Sequence, residues 1–486
     1  MRELQIEFIS NPATARWMRI LNLIEKTHEF TIVEISDLLN ISKRTLIKDI
    51  QFFKEFFEDS AIFTSNNQGF SFYTKDKVKY KEKKVTLLDD ELLFEIMGNI
   101  FYGESDTIGE LAHQYSCSES TLRRFLDKIR KPLERYGLTL SFNPVKIIGE
   151  EGSIRKFFID FYYAGEQTPH TLHPPIALHK LVLKEVEDKI EYSELGTSAT
   201  ISYFYYTLYI TLERVRQGHK IVIDHELKTV NFEENDFKLL YSLESIVGFK
   251  LPKEEFSWIH LVLLCNRTIN NLSEEITFFE RFNRWPQIET MTDSLLRQNS
   301  RYKTDIEKMT IPLKSYLLSR KINEIICPEL NKLLVEEFNH VKLTDEKSFK
   351  SNLNFLKYYS DWYVAENKYL DEVAASLTIY LDLLYEYYSY SKRILFLLEG
   401  DPIVIQKIKS SANKYLHSHE VIFVRLIDLK KEYLNAKEVD LLITNYRSYI
   451  SEYSLFENYV LIDAVPDYND WNRIIKKLKD LQNNSI

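Results

Sequence analysis

At 486 residues the chain is too long for one hydrophobic core, and its 44% hydrophobic and 28% charged composition fits an ordinary globular protein of several domains. Only 12 Gly and 12 Pro leave little for long flexible linkers, which favours helices joined by short connections. A net charge of −9 excludes indiscriminate coating of nucleic acid, yet a local basic face suffices to meet phosphate at a specific site. The 31 Tyr and 30 Phe are expected in helical cores rather than as base-stacking groups. Cys117, Cys265 and Cys327 are odd in number and far apart, so they are expected reduced. The first residues carry charges where a signal peptide needs an apolar run. Apolar stretches such as Trp258 to Cys265 fall far short of the ~20 residues that cross a bilayer. A cytoplasmic protein without membrane contact is the expectation.

The first informative segment is Thr31 to Phe53. Thr31 and Glu34 have the T-x-x-E spacing of a capping box, in which each side chain satisfies an orphan amide at a helix start. Ile35, Leu38 and Leu39 supply one apolar face. Asn40 breaks the pattern, and Ser42 caps a second helix with Leu46, Ile50 and Phe53 on its inner face. Two short amphipathic helices around a tight turn predict a helix-turn-helix. A shift of 76 positions carries Thr31, Glu34, Ser42, Thr45 and Leu46 onto Thr107, Glu110, Ser118, Thr121 and Leu122 without a gap. Ile35 falls on Leu111, Ile41 on Cys117, Lys48 on Arg124 and Ile50 on Leu126. Two units in register are far stronger evidence than one.

Each unit is followed by a predicted β-hairpin wing. After the first, Asn66, Asn67 and Gly69 provide turn chemistry between β-prone runs; after the second, Asn143-Pro144 does so. In such units the second helix enters the major groove with its N-terminal residues towards the bases. That nominates Ser42, Lys43, Arg44, Thr45 and Lys48 in the first unit, with wing residues Asn66 and Asn67. In the second it nominates Ser118, Ser120, Thr121, Arg123, Arg124 and Lys128. Lys75 to Lys84 carries six Lys against Asp76 and Glu82 and is expected to rest on phosphate. Residues 1–160 hold 23 basic against 25 acidic side chains, so binding to double-stranded DNA should be salt-sensitive and should need a dimer's doubled contacts.

From about residue 166 to 390 helix-length apolar periodicity recurs, for example over Ser198 to Gln217, Asn235 to Val247, Lys253 to Asn271, Phe278 to Asn299 and Ser348 to Ser389, the last broken near Asn367. This predicts two helical bundles in tandem. The last ~95 residues alternate short buried-strand runs (Arg393 to Leu398, Val421 to Leu426, Asp440 to Thr444, Tyr459 to Ile462) with helices at Pro402 to Tyr415 and Tyr468 to Leu478, a small α/β domain with a parallel sheet. The expected class is thus multidomain and mainly α. Its predicted domains are winged helix-turn-helix units at 1–84 and 85–165, helical domains at 166–280 and 281–390, and the α/β domain at 391–486. No phosphate loop, dinucleotide fingerprint, nucleophile elbow or zinc-protease motif is present, so no catalytic residue, metal or cofactor is expected. His170, His173 and His179 cluster, but no Cys or nearby carboxylate completes a metal set.

On the run FTIVEISDLLNISKRTLIKDI and the second-wing run LTLSFNPVKIIGEEGSIRKFF, the chain resembles the Mga/AtxA-like family of Gram-positive transcription regulators. The resemblance implies that the helical pair are regulatory domains of the phosphotransferase-system type (PRD). It also implies that the last domain is similar to a phosphotransferase IIB component, and that the protein acts as a homodimer or larger oligomer controlling virulence, colonisation or metabolic genes. It further implies recognition of DNA bend as well as sequence. A working IIB component carries a phosphorylated Cys after its first strand, whereas this chain reads Leu398-Glu399-Gly400-Asp401. Ser202 and Tyr380 stand where relatives carry phosphorylated histidines, which leaves His219, His260 and His340 as candidates for modification by general phosphotransferase proteins. The competing readings are a phosphotransferase-system carrier, which the missing Cys disfavours, and an RNA-binding antiterminator, which would begin with a β-rich module instead of capped helices. A protein-binding scaffold using the same helices is the fourth.

Overall fold

The computed structural model describes residues 1–66, 69–104, 106–180, 200–223, 250–269, 271–298, 306–363, 368–388, 391–425, 439–447 and 458–483. The side chain of Asn66, the whole of Asn67, the stretch Asn235 to Val247 and the break near Asn367 lie outside the described residues. The chain divides into two compact units, one of residues 1–284 with 315–379 and the other of residues 285–314 with 380–486.

The first unit opens with α1 (Glu3–Glu7) and α2 (Pro12–Thr27), then a short strand β1 (Glu29–Phe30), and α3 (Ile32–Leu39) and α4 (Lys43–Phe56). Strands β2 (Ala61–Asn66) and β3 (Gly69–Thr74) form an antiparallel hairpin whose β3 also pairs with β1, in the order β1-β3-β2. Ile24, Ile35, Leu46, Ile50, Phe53 and Phe72 are all buried in one cluster, with Leu39 partly buried against it. Leu38, expected on the same inner face of α3, instead stands 70% exposed, because the helix turns it away from that cluster. Gly69 does more than make the turn. Its φ is +145°, and a Cβ there would meet the Phe30 carbonyl oxygen at 2.6 Å, so only glycine lets β1 close onto the hairpin.

A linking helix α5 (Lys77–Thr86) and α6 (Leu92–Phe101) lead to the second copy, α7 (Ile108–Gln114) and α8 (Glu119–Lys128), extended by α9 (Arg130–Glu134). Its wing is the antiparallel pair β4 (Thr139–Phe142) and β5 (Val145–Ile148), turned at Asn143-Pro144 as expected. Helix α10 (Glu151–Tyr163) follows, with ten of its 13 residues buried. It packs against α11 (Ile201–Arg216), which in turn packs against α12 (Lys253–Leu264).

Helix boundaries in the middle third depart from the periodicity at two places. The predicted helix Lys253 to Asn271 stops at Leu264; Asn266 turns its amide back onto the Val262 carbonyl (2.7 Å), and Asn271 caps the next helix, α13 (Leu272–Phe282). The predicted helix Phe278 to Asn299 is interrupted before Pro286, which has no N–H to give and bars helical backbone at Trp285; α14 (Gln287–Gln298) starts beyond it. Further helices are α15 (Ile306–Ile326), α16 (Val335–Thr344), α17 (Glu346–Tyr358), α18 (Ser360–Tyr363) and α19 (Leu370–Tyr387), with a 3-10 turn at Pro328–Asn331.

In the second unit β6 (Arg393–Leu397), β7 (Glu420–Val424), β8 (Leu441–Thr444) and β9 (Tyr459–Leu461) form a wholly parallel sheet in the order β7-β6-β8-β9. Along β6 the period of two is plain. Ile394 and Phe396 join the cluster under α20 (Pro402–Tyr415) and α21 (Tyr468–Asn483), while Leu395 and Leu397 join the cluster on the opposite face. At the carboxyl end, between β6 and β8 where the order reverses, Asn445 accepts from the Glu399 amide (2.9 Å) and donates to the Glu399 carbonyl (2.6 Å). Asp401 caps α20. The loop after β6 thus carries two carboxylates, Glu399 and Asp401, and no cysteine.

Candidate nucleic-acid interface

The local geometry of the two helix-turn-helix units repeats beyond the residues the sequence matched. Thr31 Oγ1 accepts from the Glu34 amide (3.2 Å) while Glu34 accepts from the Thr31 amide (2.8 Å); the same reciprocal pair joins Thr107 and Glu110 at 3.3 and 2.7 Å. Asn40 and Ser116, again 76 apart, both adopt the left-handed conformation, with φ of 52° and 51°. They turn the chain so that the Ile41 amide donates to the Ser36 carbonyl (3.0 Å) and the Cys117 amide to Ala112 (2.9 Å). Ser42 and Ser118 then accept from the amides of Thr45 and Thr121 at 3.1 and 3.2 Å, and their hydroxyls also meet the threonine hydroxyls.

These caps set which side of each second helix faces outward. Along α4, Leu46, Asp49, Ile50 and Phe53 turn inward, and Ser42, Lys43, Arg44, Ile47, Lys48 and Gln51 are exposed. Asp49 accepts from both Arg16 (2.6 and 3.0 Å) and the Trp17 indole (2.8 Å), which fastens α4 to α2. Among the described residues the side chains of Lys43, Arg44 and Lys48 enter no ion pair or hydrogen bond. Along α8, Leu122 and Leu126 turn inward, and Ser118, Ser120, Arg123, Arg124 and Lys128 are exposed, with Glu119 and Asp127 among them. Thr45 and Thr121 are half-buried behind their caps. Asn66 pairs with Gly69 across the first hairpin.

The cations of the second unit are held in place. Phe142, on the wing, lies under two guanidinium groups, Arg123 at 4.6 Å and Arg130 at 4.9 Å from the ring centroid. Arg130 also pairs with Asp127 (2.9 Å), and the Lys128 ammonium donates to the Ser10 carbonyl (2.9 Å). The lysine-rich segment serves the fold more than its charge count suggests. Lys79 and Lys83 both pair with Asp59, whose carboxyl is held below its usual range by those two hydrogen bonds. Lys84 is buried against Glu25 (2.8 Å) and Glu166 (3.2 Å). That leaves Lys75, Lys77 and Lys81 exposed. Phe142, Ile47, Gln51 and Arg130 are residues of this surface that sequence patterns did not single out. Phe142 is visible only through a contact between a wing and a helix.

Behind the units lies a buried charge cluster. Arg155 on α10 donates to Glu255 (2.5 Å) and to Glu151 (2.8 Å); Arg214 on α11 donates to Glu151 (2.7 Å), and Glu255 also accepts from the Ile221 amide (2.9 Å). Burial alone would raise the Glu151 pKa, but Arg214 and Arg155 bring it below the usual carboxylate value. His219 is exposed beside this cluster, with its imidazole pKa lowered by desolvation and by Arg214. His260 is half-buried on α12 and His340 exposed on α16. Ser202 is exposed and Tyr380 buried with its hydroxyl donating to the Pro312 carbonyl at 3.0 Å. His170 Nε2 lies 3.0 and 3.1 Å from the Leu88 and Asp89 carbonyls, and among the described residues no group of His, Cys, Asp and Glu is placed to hold a metal. No helix among them is long and apolar enough to cross a membrane.

Residues 15–69 match the model of the M protein trans-acting positive regulator (Mga) helix-turn-helix domain, and residues 77–162 match that of the Mga helix-turn-helix domain. The chain is 27% identical over 249 residues to the capsule synthesis positive regulator AcpB of Bacillus anthracis, covering 49% of this chain and 51% of that one. It is 24% identical over 274 residues to AcpA of the same organism, covering 54% and 56%. It thus spans about half the length of these two regulators. A third relative, from Streptococcus pneumoniae serotype 4 and named for trans-acting regulation, is 23% identical over 470 residues, 89% of this chain and 91% of that one. These matches are to regulators rather than to enzymes.

Proposed function

We propose that this chain, whose N-terminal third carries both helix-turn-helix domains of the Mga type, is a transcription regulator that binds double-stranded DNA through α4 and α8 and works as a homodimer or larger oligomer in the cytoplasm. One observation carries the reading: two units with the same caps, the same left-handed turn residue and the same inner face each present exposed cations at the start of the second helix. The nominated contacts are Ser42, Lys43, Arg44, Thr45, Lys48, Asn66 and Asn67 in the first unit. In the second they are Ser118, Ser120, Thr121, Arg123, Arg124 and Lys128. The acidic balance of the whole chain supports a need for doubled contacts, and the capsule regulators among its relatives support a role in virulence-linked expression.

Alanine at Arg44 with Lys48, and separately at Arg123 with Arg124, tests this on mixed-sequence genomic duplexes at moderate salt. Each lost phosphate contact should lower the slope of log affinity against log salt by about 0.9. Retention of full affinity in both double variants overturns the DNA reading for these helices. In the same reading, residues 166–280 and 281–390 are PRD-like domains and 391–486 an IIB-like module without phosphotransfer, as the carboxylates at Glu399 and Asp401 support. Any phosphotransferase input then falls on His219, His260 or His340. Incubation with the general phosphotransferase proteins and labelled phosphoenolpyruvate tests it, and no incorporation removes that input.

A further inference from the structure

The two second helices share their geometry but not the residue at the centre of their outward stripe. In α4 the stripe is Lys43, Arg44, Ile47, Lys48 and Gln51, and Ile47 stands 52% exposed in the middle of it. The 76-residue shift that superimposes the caps and turns places Arg123 at the equivalent position of α8, among Glu119, Ser120, Arg124 and Asp127. The first stripe therefore carries three cations and no anion, and the second carries two of each.

An exposed isoleucine is by itself ordinary. Its surroundings are not. Leu46, Ile50 and Phe53 already supply the buried face of α4, so Ile47 adds nothing to the core. Within one turn of it stand Lys43, Arg44 and Lys48, whose side chains have no internal partner among the described residues. The complementary surface is an apolar spot rimmed by negative charge. The major groove supplies that combination: phosphates line its edges, and the 5-methyl group of thymine is the one apolar feature on its floor.

We propose that Ile47 is a specificity-determining residue that seats on a thymine 5-methyl group, so that the first unit reads thymine where the second presents an arginine. This rests on the DNA-binding reading above, and the experiment separates the two. Libraries of random duplexes, about 40 base pairs or four helical turns long, are prepared with thymidine or with deoxyuridine, which lacks only the methyl. The full chain is expected to bind the thymidine library about fourfold more tightly for each methyl buried. Ile47→Ala binds both libraries at the weaker level, Ile47→Val keeps part of the preference, and Arg123→Ala weakens binding to both while keeping their ratio. Equal binding of both libraries by the wild type, or a preference that survives Ile47→Ala, overturns the proposal while DNA binding stands. Loss of all binding in Ile47→Ala with an unchanged melting temperature also overturns it, because a methyl contact does not carry the whole affinity. Retardation of neither library by the wild type refutes the DNA reading and this inference with it.

Discussion

Thr107 holds the start of α7 through two bonds that run in opposite directions, its hydroxyl accepting from Glu110 while Glu110 accepts from its amide. Thr107→Ala removes the first and leaves the Glu110 amide orphaned, an expected loss of about 1 kcal/mol in urea denaturation. Thr31→Ala should cost about the same by the same mechanism. A much smaller effect would mean that neighbouring packing, not the cap, holds these helices. Caps were legible because residue type and spacing decide them. The left-handed turn was half legible: Asn40 is a residue that tolerates that conformation, whereas Ser116 adopts it with no signal of its own.

At the scale of elements, the helix faces (Leu38 of α3 excepted) and both hairpins could be read from periods of 3.6 and 2, and so could the parallel strands of the last domain. What those periods cannot encode is a contact between elements. Phe142 looks like one more β-prone aromatic, yet in the fold it is the shelf beneath Arg123 and Arg130. Phe142→Leu keeps the apolar packing and removes the ring face. It should weaken DNA binding several-fold, at about 0.5–1 kcal/mol for each exposed cation–π contact, with melting little changed and Phe142→Trp restoring affinity. If Phe142→Leu binds as the wild type does, the shelf is packing alone. Charge counts mislead for the same reason. The six lysines of residues 75–84 look like one phosphate-binding strip, but Lys79, Lys83 and Lys84 are turned onto carboxylates brought in by other helices.

At the scale of the first unit as a whole, α10 is the hub, and its ties are polar as well as apolar. Arg155 and Glu255 are 100 positions apart and both fully buried, a pairing that no local pattern announces. Arg155→Ala strands the Glu255 charge and should destabilise by about 3–5 kcal/mol, whereas replacing both partners with apolar residues of similar volume should recover much of it. Glu151 gives the pH dependence. Its folded pKa lies below the unfolded value, so its contribution is complete above the ordinary carboxylate range and disappears as pH falls through the depressed pKa. Glu151→Gln should flatten that acid limb in thermal melts taken across pH.

The burial of α10 also governs how the molecule can be taken apart. Phe157, Phe158 and Phe161 are wholly enclosed, Arg155 reaches across to Glu255, and the Tyr369 hydroxyl donates to the Arg135 carbonyl from 234 positions away. A fragment ending near residue 165 would keep both helix-turn-helix units but expose this helix to water, with Arg155 stripped of Glu255 and left only its helix neighbour Glu151. Dissection of the chain into an autonomous helix-turn-helix half is thus opposed by the packing of α10, and the smallest piece expected to behave in solution includes the helices that cover it.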